Sequence, residues 1–190
     1  MNRTIHATLL SVMFASGVAL APAQEVALPV DPPATAPTHP GTAVDALVAS
    51  GEHKKMVEAI NAAGLAGAMN SINPLTVFAP TDSAFSSSTY MSFGDLLKDE
   101  NRGKLVELLR YHVVAGAIDT ASLDARIEAG GGSAVLTTVQ GGVLTVRRSG
   151  GEYTITDATN HTARITAKDL YHRNGVVQVI DQVLMPNTPP

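Results

Sequence analysis

The spacing of apolar positions changes character twice along this chain. From Thr42 it is helical: Val44, Leu47 and Val48 recur on one face behind the capping-box pair Thr42 and Asp45, and Ser50-Gly51 ends the run. Met56, Val57 and Ile60 make a second such face, which Gly64 closes as a C-cap glycine does. The period then drops to two. Leu75, Val77 and Ala79 predict a strand that stops at Pro80 and passes through Thr81-Asp82-Ser83 into a helical turn bearing Phe85. Thr81 and Asp82 are placed to accept hydrogen bonds from the first free N–H groups of that turn, an architectural use. Helical spacing returns at Phe93, Leu96 and Leu97, and again at Leu105, Leu108 and Leu109, a helix that Asn101 could begin. That helix runs directly into a short strand at Val113 and Val114.

Beyond Asp119 a short helix carrying Leu123 and Ile127 ends in Gly130-Gly131-Gly132, and the second change follows. Residues 134–139, 143–148 and 152–156 are β-rich runs, split by Gly141-Gly142 and Gly150-Gly151 at hairpin spacing. Two more strands are expected over 164–170 and 176–181. The last is apolar on both faces, Val177 and Val179 against Val176 and Ile180, as a strand covered on both sides should be. Asn174-Gly175 before it is a turn dipeptide suited to positive φ. Helices dominate the first half and strands the second, so the expected class is α+β.

Composition sets the context. Arg3, an apolar run from Ala7 to Leu20 and the small residues Ala21-Pro22-Ala23 predict a secretory signal peptide over 1–23. The run is too short to span a bilayer, and no later stretch approaches the required length. Residues 24–40 hold five prolines and few large apolar side chains, which predicts a disordered, semi-extended linker. The folded domain is expected over 41–187, with 188–190 as a tail. There is no cysteine, so disulfides and thiol chemistry are excluded and stability must come from an ordinary core. With 13 Lys and Arg against 17 Asp and Glu, the net charge of −4 offers no footprint for nucleic acid or anionic lipid.

Catalytic chemistry finds little support. No G-x-S-x-G surrounds a serine, and Ser83 beside Asp82 lacks a nucleophile's context. No two histidines among His39, His53, His112, His161 and His172 stand at i, i+3 or i+4, so no metal site is expected. His161 and His172, flanking one strand, read as solvated loop residues. The glycine clusters lack the Lys-Ser/Thr of a phosphate loop and precede strands, so they read as turns. The chain is read as non-enzymatic, with no cofactor.

Three ordered blocks carry a resemblance: "TVFAPTDSAF" at Thr76 to Phe85, "YHVVAGAI" at Tyr111 to Ile118, and "NGVVQVIDQVLMP" at Asn174 to Pro186. From about Thr42 to Pro186 the sequence resembles a fasciclin (FAS1) domain, in the style of a bacterial secreted single-domain member. The resemblance implies a wedge-like α+β fold with a central β-sheet or sandwich and helices packed over it. It makes the first and third blocks neighbouring central strands, with Thr81, Asp82, Asn174, Gly175 and Asp181 as structural motif residues.

In animal members a Tyr-His pair in the second block is associated with integrin-mediated adhesion, and Tyr111-His112 stands there. The same pair could instead lock helix to sheet, with Tyr111 in the core and His112 on a backbone carbonyl. A second adhesion motif of animal members, Asp-Ile before the third block, corresponds to Asp169-Leu170, followed here by the bulkier Tyr171-His172-Arg173. Gln178 stands where the family commonly has His, replacing a titratable ring by a neutral donor and acceptor. The expected function is an exported binding module, periplasmic or extracellular, that contacts a surface or matrix protein or a polysaccharide through Tyr111, His112, Asp169 and Leu170. The alternative is a carrier of a small apolar molecule such as a carotenoid or lipid, in a groove drawn from Met56, Met69, Met91, Phe93, Ile118 and Met185, with Leu65 and Val139 also available. Self-association is a further possibility that sequence does not separate from the first.

Overall fold

A computed structural model of the chain describes residues 40–71, 74–88 and 91–187. The expected signal peptide, nearly all of the proline-rich segment and the C-terminal tail therefore lie outside the described residues. Helix α1 (Ala43–Ser50) begins where the sequence places it. Thr42 accepts the Asp45 N–H and Asp45 accepts the Thr42 N–H, closing the capping box, and Gly51 ends the helix at φ 71°. Helix α2 (Lys54–Ala63) ends at Gly64, also left-handed at φ 69°. A third helix, α3 (Ala66–Ser71), precedes the first strand, one more than the two expected. Its Ala-Gly-Ala opening presents no periodic apolar face, and Met69 alone anchors it in the core.

Strand β1 (Leu75–Pro80) is buried along its whole length and leads into α4 (Asp82–Ser87). Then come α5 (Phe93–Leu96), a 3-10 turn at Asp99–Asn101, α6 (Arg102–Tyr111) and the short β2 (Val113–Ala115). Helix α7 (Thr120–Ala129) introduces the meander β3 (Ala134–Thr137), β4 (Val143–Ser149), β5 (Glu152–Thr156), β6 (Thr162–His172) and β7 (Gly175–Ile180).

The strands form one sheet in the order β2-β1-β7-β6-β5-β4-β3. Neighbours are antiparallel except β1 and β7, which run parallel in register from Leu75 opposite Gly175 to Pro80 opposite Ile180. The first and third sequence blocks are thus adjacent interior strands. The two ends of the sheet approach each other: Val114 bridges Thr138, and the Val139 N–H donates to the Val113 carbonyl at 2.7 Å. The sheet is nearly closed into a barrel. Inside it Phe78, Ile118, Leu123, Leu144, Ile155 and Ile180 form one apolar core. On the outer face of β1 and β7, Leu75, Val77 and Val177 join Leu47, Met56, Ile60, Leu105 and Leu109 from the helices in a second. Covered on both faces, β1 and β7 have to be apolar throughout.

Gly175 has a sharper constraint than a turn. It takes the positive φ expected of the Asn174-Gly175 pair, at 150°, and a Cβ there would lie 1.8 Å from the Leu75 carbonyl oxygen. Only glycine lets β7 start this close to β1. Asn174 itself is buried and accepts the Ala43 N–H through Oδ1 at 2.8 Å, fastening the first turn of α1 to the sheet.

Candidate functional site

The strand-to-helix turn after β1 is architectural, with its roles divided otherwise than expected. Thr81 caps α4 by accepting the Ala84 N–H at 3.3 Å. Asp82 does not cap its own helix. Its Oδ1 accepts the Lys55 N–H at 2.8 Å in the first turn of α2, where the N-cap His53 makes no side-chain cap, and its own N–H donates to the Glu52 carbonyl. The buried His53 ring meets the Pro80 carbonyl at 2.9 Å on the same side. Asp82 thereby welds the α1–α2 connection to the end of β1. Asp181 does similar work at the end of β7, accepting the Arg164 N–H at 2.7 Å.

Tyr111 and His112 both point inward. Tyr111 is fully buried; its hydroxyl donates to the Val143 carbonyl at 2.8 Å and accepts the Ala158 N–H at 2.9 Å. The buried His112 ring lies between the Leu108 carbonyl, 2.8 Å from Nδ1, and the Leu184 N–H, 3.0 Å from Nε2. These partners fix the tautomer, with the proton on Nδ1. Burial pushes the ring's pKa down to about 4. Both side chains are buried, and the pair locks α6 to the sheet and to the segment after β7.

Asp169 and Leu170 are placed differently. The pairing of β6 with β7 slips twice, between Ile165 and Ala167 and between Ala167 and Leu170, and Asp169 sits in the second slip at φ 55°. Side chains pin this bulge. Gln178, fully buried, accepts the Asp169 N–H at 3.1 Å and donates to the Asp169 carboxylate at 2.9 Å and to the Ile118 carbonyl at 3.3 Å. The same carboxylate accepts the Thr120 N–H at 2.8 Å and the Thr120 hydroxyl, while Asp119 caps α7 through the Ser122 N–H at 2.8 Å. Gln178 thus serves the bulge as donor and acceptor at once.

The two faces of β6 serve different ends. On one, Ala163 and Ile165 pack into the inner core. On the other face of the strand, Leu170 and His172 line a cleft of about 430 Å³ with Pro40, Asp45, Ala46, Ala49 and Ser50 at the α1 side. Leu170 keeps 36% of its surface exposed. His172 is buried, a correction to its reading as a solvated loop residue, because β6 runs on to it and it pairs with Gly175 beside α1. His161 is exposed as expected. Across α1 a second cleft, about 530 Å³, is lined by Leu47, Val48 and Val57, and Val48 is 60% exposed. Helix α1 is therefore a ridge between two apolar depressions, and Val48, expected on the apolar face with Val44 and Leu47, points outward instead.

The candidates for an apolar groove do not assemble into one. Met56, Met69 and Met185 are buried in the helical core, with Met91 and Phe93 half-buried against it, while Ile118 belongs to the inner core. Leu65, Met69 and Val139 share a small depression of about 180 Å³, below the range of ordinary ligand pockets. Among the described residues no three His, Cys, Asp or Glu side chains gather as a metal site, and no helix is long and apolar enough to cross a membrane.

Comparison with known proteins agrees with the fold. A family model described as Fasciclin domain matches residues 51–186. Protein sll1483 of Synechocystis sp. is 34% identical over 145 residues, covering 76% of this chain and 73% of that protein. Transforming growth factor-beta-induced protein ig-h3 of Sus scrofa is 30% identical over 146 residues, covering 77% of this chain and 19% of that protein. Among solved structures, a FAS1 domain pair from the insect cell adhesion molecule Fasciclin I aligns with a TM-score of 0.57 and 26% identity, covering 72% of this chain and 46% of that one. This chain belongs to the fasciclin domain family.

Proposed function

We propose that the domain is an exported, non-enzymatic binding module that contacts a protein or polysaccharide of the cell surface or matrix. Its contact surface is centred on Leu170 and the outer side of α1. The observation that carries this reading is the Asp169 bulge. Four hydrogen bonds with Gln178 and Thr120 hold a non-glycine residue at positive φ, directly before an exposed leucine beside an apolar cleft. Strain of this kind persists where the surroundings over-determine it, and it clusters at binding sites. The solved FAS1 domain pair comes from an insect cell adhesion molecule, which supports the same class. The signal peptide read from residues 1–23 supports export.

The test is to immobilise the protein and measure binding of the producing bacterium's outer-surface proteins and exopolysaccharide as separate fractions. Saturable binding to one fraction, lost in Leu170→Asp and kept in Val135→Asp on the exposed face of β3, supports the reading. Binding indifferent to Leu170 overturns the site; binding to neither fraction overturns the function. Organic extraction of the same preparation reads out the carrier alternative, which a stoichiometric pigment or lipid would favour.

A further inference from the structure

At the other end of β6 from Leu170 lies a cleft of different character, lined largely by polar side chains. It measures about 470 Å³, within the range of small-molecule sites, and sits between the start of β6, the end of α4 and the segment after β7. Its walls are set by one buried carboxylate. Asp157, in the turn between β5 and β6, accepts the Thr159 N–H at 2.8 Å, the Thr159 hydroxyl at 2.8 Å and the His161 N–H at 2.9 Å through Oδ1. Its Oδ2 accepts the Met185 N–H at 2.8 Å, beyond β7. A buried carboxylate is tolerated only with such a set of partners, and here the set ties the turn to the post-strand segment. The strand ends are tied as well: the Arg164 N–H donates to Asp181 Oδ1 at 2.7 Å, and the Asp181 N–H to the Arg164 carbonyl at 3.2 Å.

These ties leave a defined set of groups unspent. Among the described residues the Arg164 guanidinium makes no hydrogen bond or ion pair, and Asp181 Oδ2 and the Gln182 amide accept and donate nothing. The Thr159 hydroxyl gives its one proton to Asp157, so His161 Nδ1 donates to Thr159 Oγ1 at 2.8 Å and Nε2 of the neutral ring is left as an acceptor. Val183 and Met185 supply the apolar part of the lining. One planar cation, two acceptors and an amide around an apolar patch call for a ligand that unites a carboxylate, hydroxyl donors and a C–H face. We propose that this cleft binds a uronic-acid residue, its carboxylate on Arg164, its hydroxyls on Asp181, His161 and Gln182, and its ring over Val183 and Met185. The guanidinium fork matches a carboxylate with two parallel hydrogen bonds. Inorganic phosphate would satisfy Arg164 but set its other oxygens against the Asp181 carboxylate. An acidic peptide side chain would satisfy Arg164 and bring no hydroxyl for Asp181 and His161. The site goes beyond the Leu170 surface and does not rest on it, since a sugar acid held here leaves Leu170 open to a partner.

The test is to titrate the isotope-labelled protein with trimers of galacturonate, mannuronate and guluronate while following amide shifts. The expected result with at least one of them is saturable shifts confined to residues 161–164 and 181–185. Arg164→Gln, which removes an exposed side chain and should leave the melting curve unchanged, should weaken binding about tenfold or more through loss of a charge-assisted pair. A trimer whose carboxylates are reduced to alcohols should bind wild type as weakly as the acid binds Arg164→Gln, and the substitution should cost it nothing further. Free uronate binding as tightly as the trimer supports the same chemistry and makes the source a soluble sugar acid instead of a polymer. No shifts at these residues with any of the three trimers overturns the proposal, as does binding indifferent to Arg164→Gln or to carboxylate reduction. A triaspartate peptide that binds the same residues as tightly also overturns it and assigns the cleft to acidic polypeptide. Leu170→Asp should leave the titration unchanged, so failure here leaves the partner surface standing.

Discussion

His112 shows how one buried ring converts into a pH dependence. Its Nε2 faces the Leu184 N–H, so a proton there would set two donors against each other and leave a charge without water. Burial holds its pKa at about 4, against an ordinary value of 6.5. Between those values the unfolded chain binds a proton that the folded one refuses. The histidine's contribution is therefore complete above pH 6.5 and declines as pH falls toward about 4, by about 3 kcal/mol in all. Urea unfolding midpoints should fall across that window, and the imidazole should give the NMR signature of the neutral Nδ1–H tautomer at its upper end. Midpoints flat across it would contradict the buried neutral ring. Asp82 gives a second prediction at this scale. Asp82→Ala should cost about 1 kcal/mol through loss of a helix cap. Because the cap belongs to α2, the loss should appear as faster hydrogen exchange at Lys55, with Ala84 unaffected.

At the scale of elements, β1 and β7 depend on a single missing side chain. A Cβ at Gly175 would stand 1.8 Å from the Leu75 carbonyl oxygen and 2.9 Å from the Leu75 nitrogen, backbone atoms that cannot move without parting the two strands. Gly175→Ala should cost about 4 kcal/mol or more. Gly131→Ala, at φ 66° with nothing within 4 Å, should cost about 1 kcal/mol for its backbone alone. Thermal melts of the two variants side by side decide the matter; equal losses would mean that strand proximity is not the constraint. These elements were legible in the sequence because their signals are local: capping pairs, C-cap glycines, a two-sided apolar strand and paired glycines at hairpins. What escaped was non-local. Helix α3 has no periodic face, and Asp82 caps a helix 27 residues upstream. The Asp169 bulge depends on Gln178 from the neighbouring strand, and no spacing rule announces it. The candidate site was legible to the extent that Asp169-Leu170 was singled out, while the α1 side of the cleft appears only once β6 is folded against it.

On the scale of the whole molecule, two apolar cores share β1 and β7 as a common wall, one inside the near-closed sheet and one under the helices. A wall held from both sides couples the cores, so they should unfold together. Tyr111 ties them again from a different direction. It ends α6, on the helical side, yet its hydroxyl donates to Val143 on β4 and accepts from Ala158 in the β5–β6 loop. Tyr111→Phe keeps the ring's packing and removes the hydroxyl that bridges the Val143 carbonyl and the Ala158 N–H. It should cost roughly 1–2 kcal/mol, the net worth of two ordinary hydrogen bonds whose partners can turn to water. The form of the transition is the sharper readout. If the tie only adds stability to a molecule already coupled through β1 and β7, the variant melts earlier in one cooperative step, with near-ultraviolet and far-ultraviolet signals coincident. If instead the tyrosine is what joins the two halves, the signals separate and the strand meander β3 to β5 loosens before the helices. The shared wall predicts the first outcome, and a split transition would show that the two cores are held together by this hydroxyl and not by the strands between them.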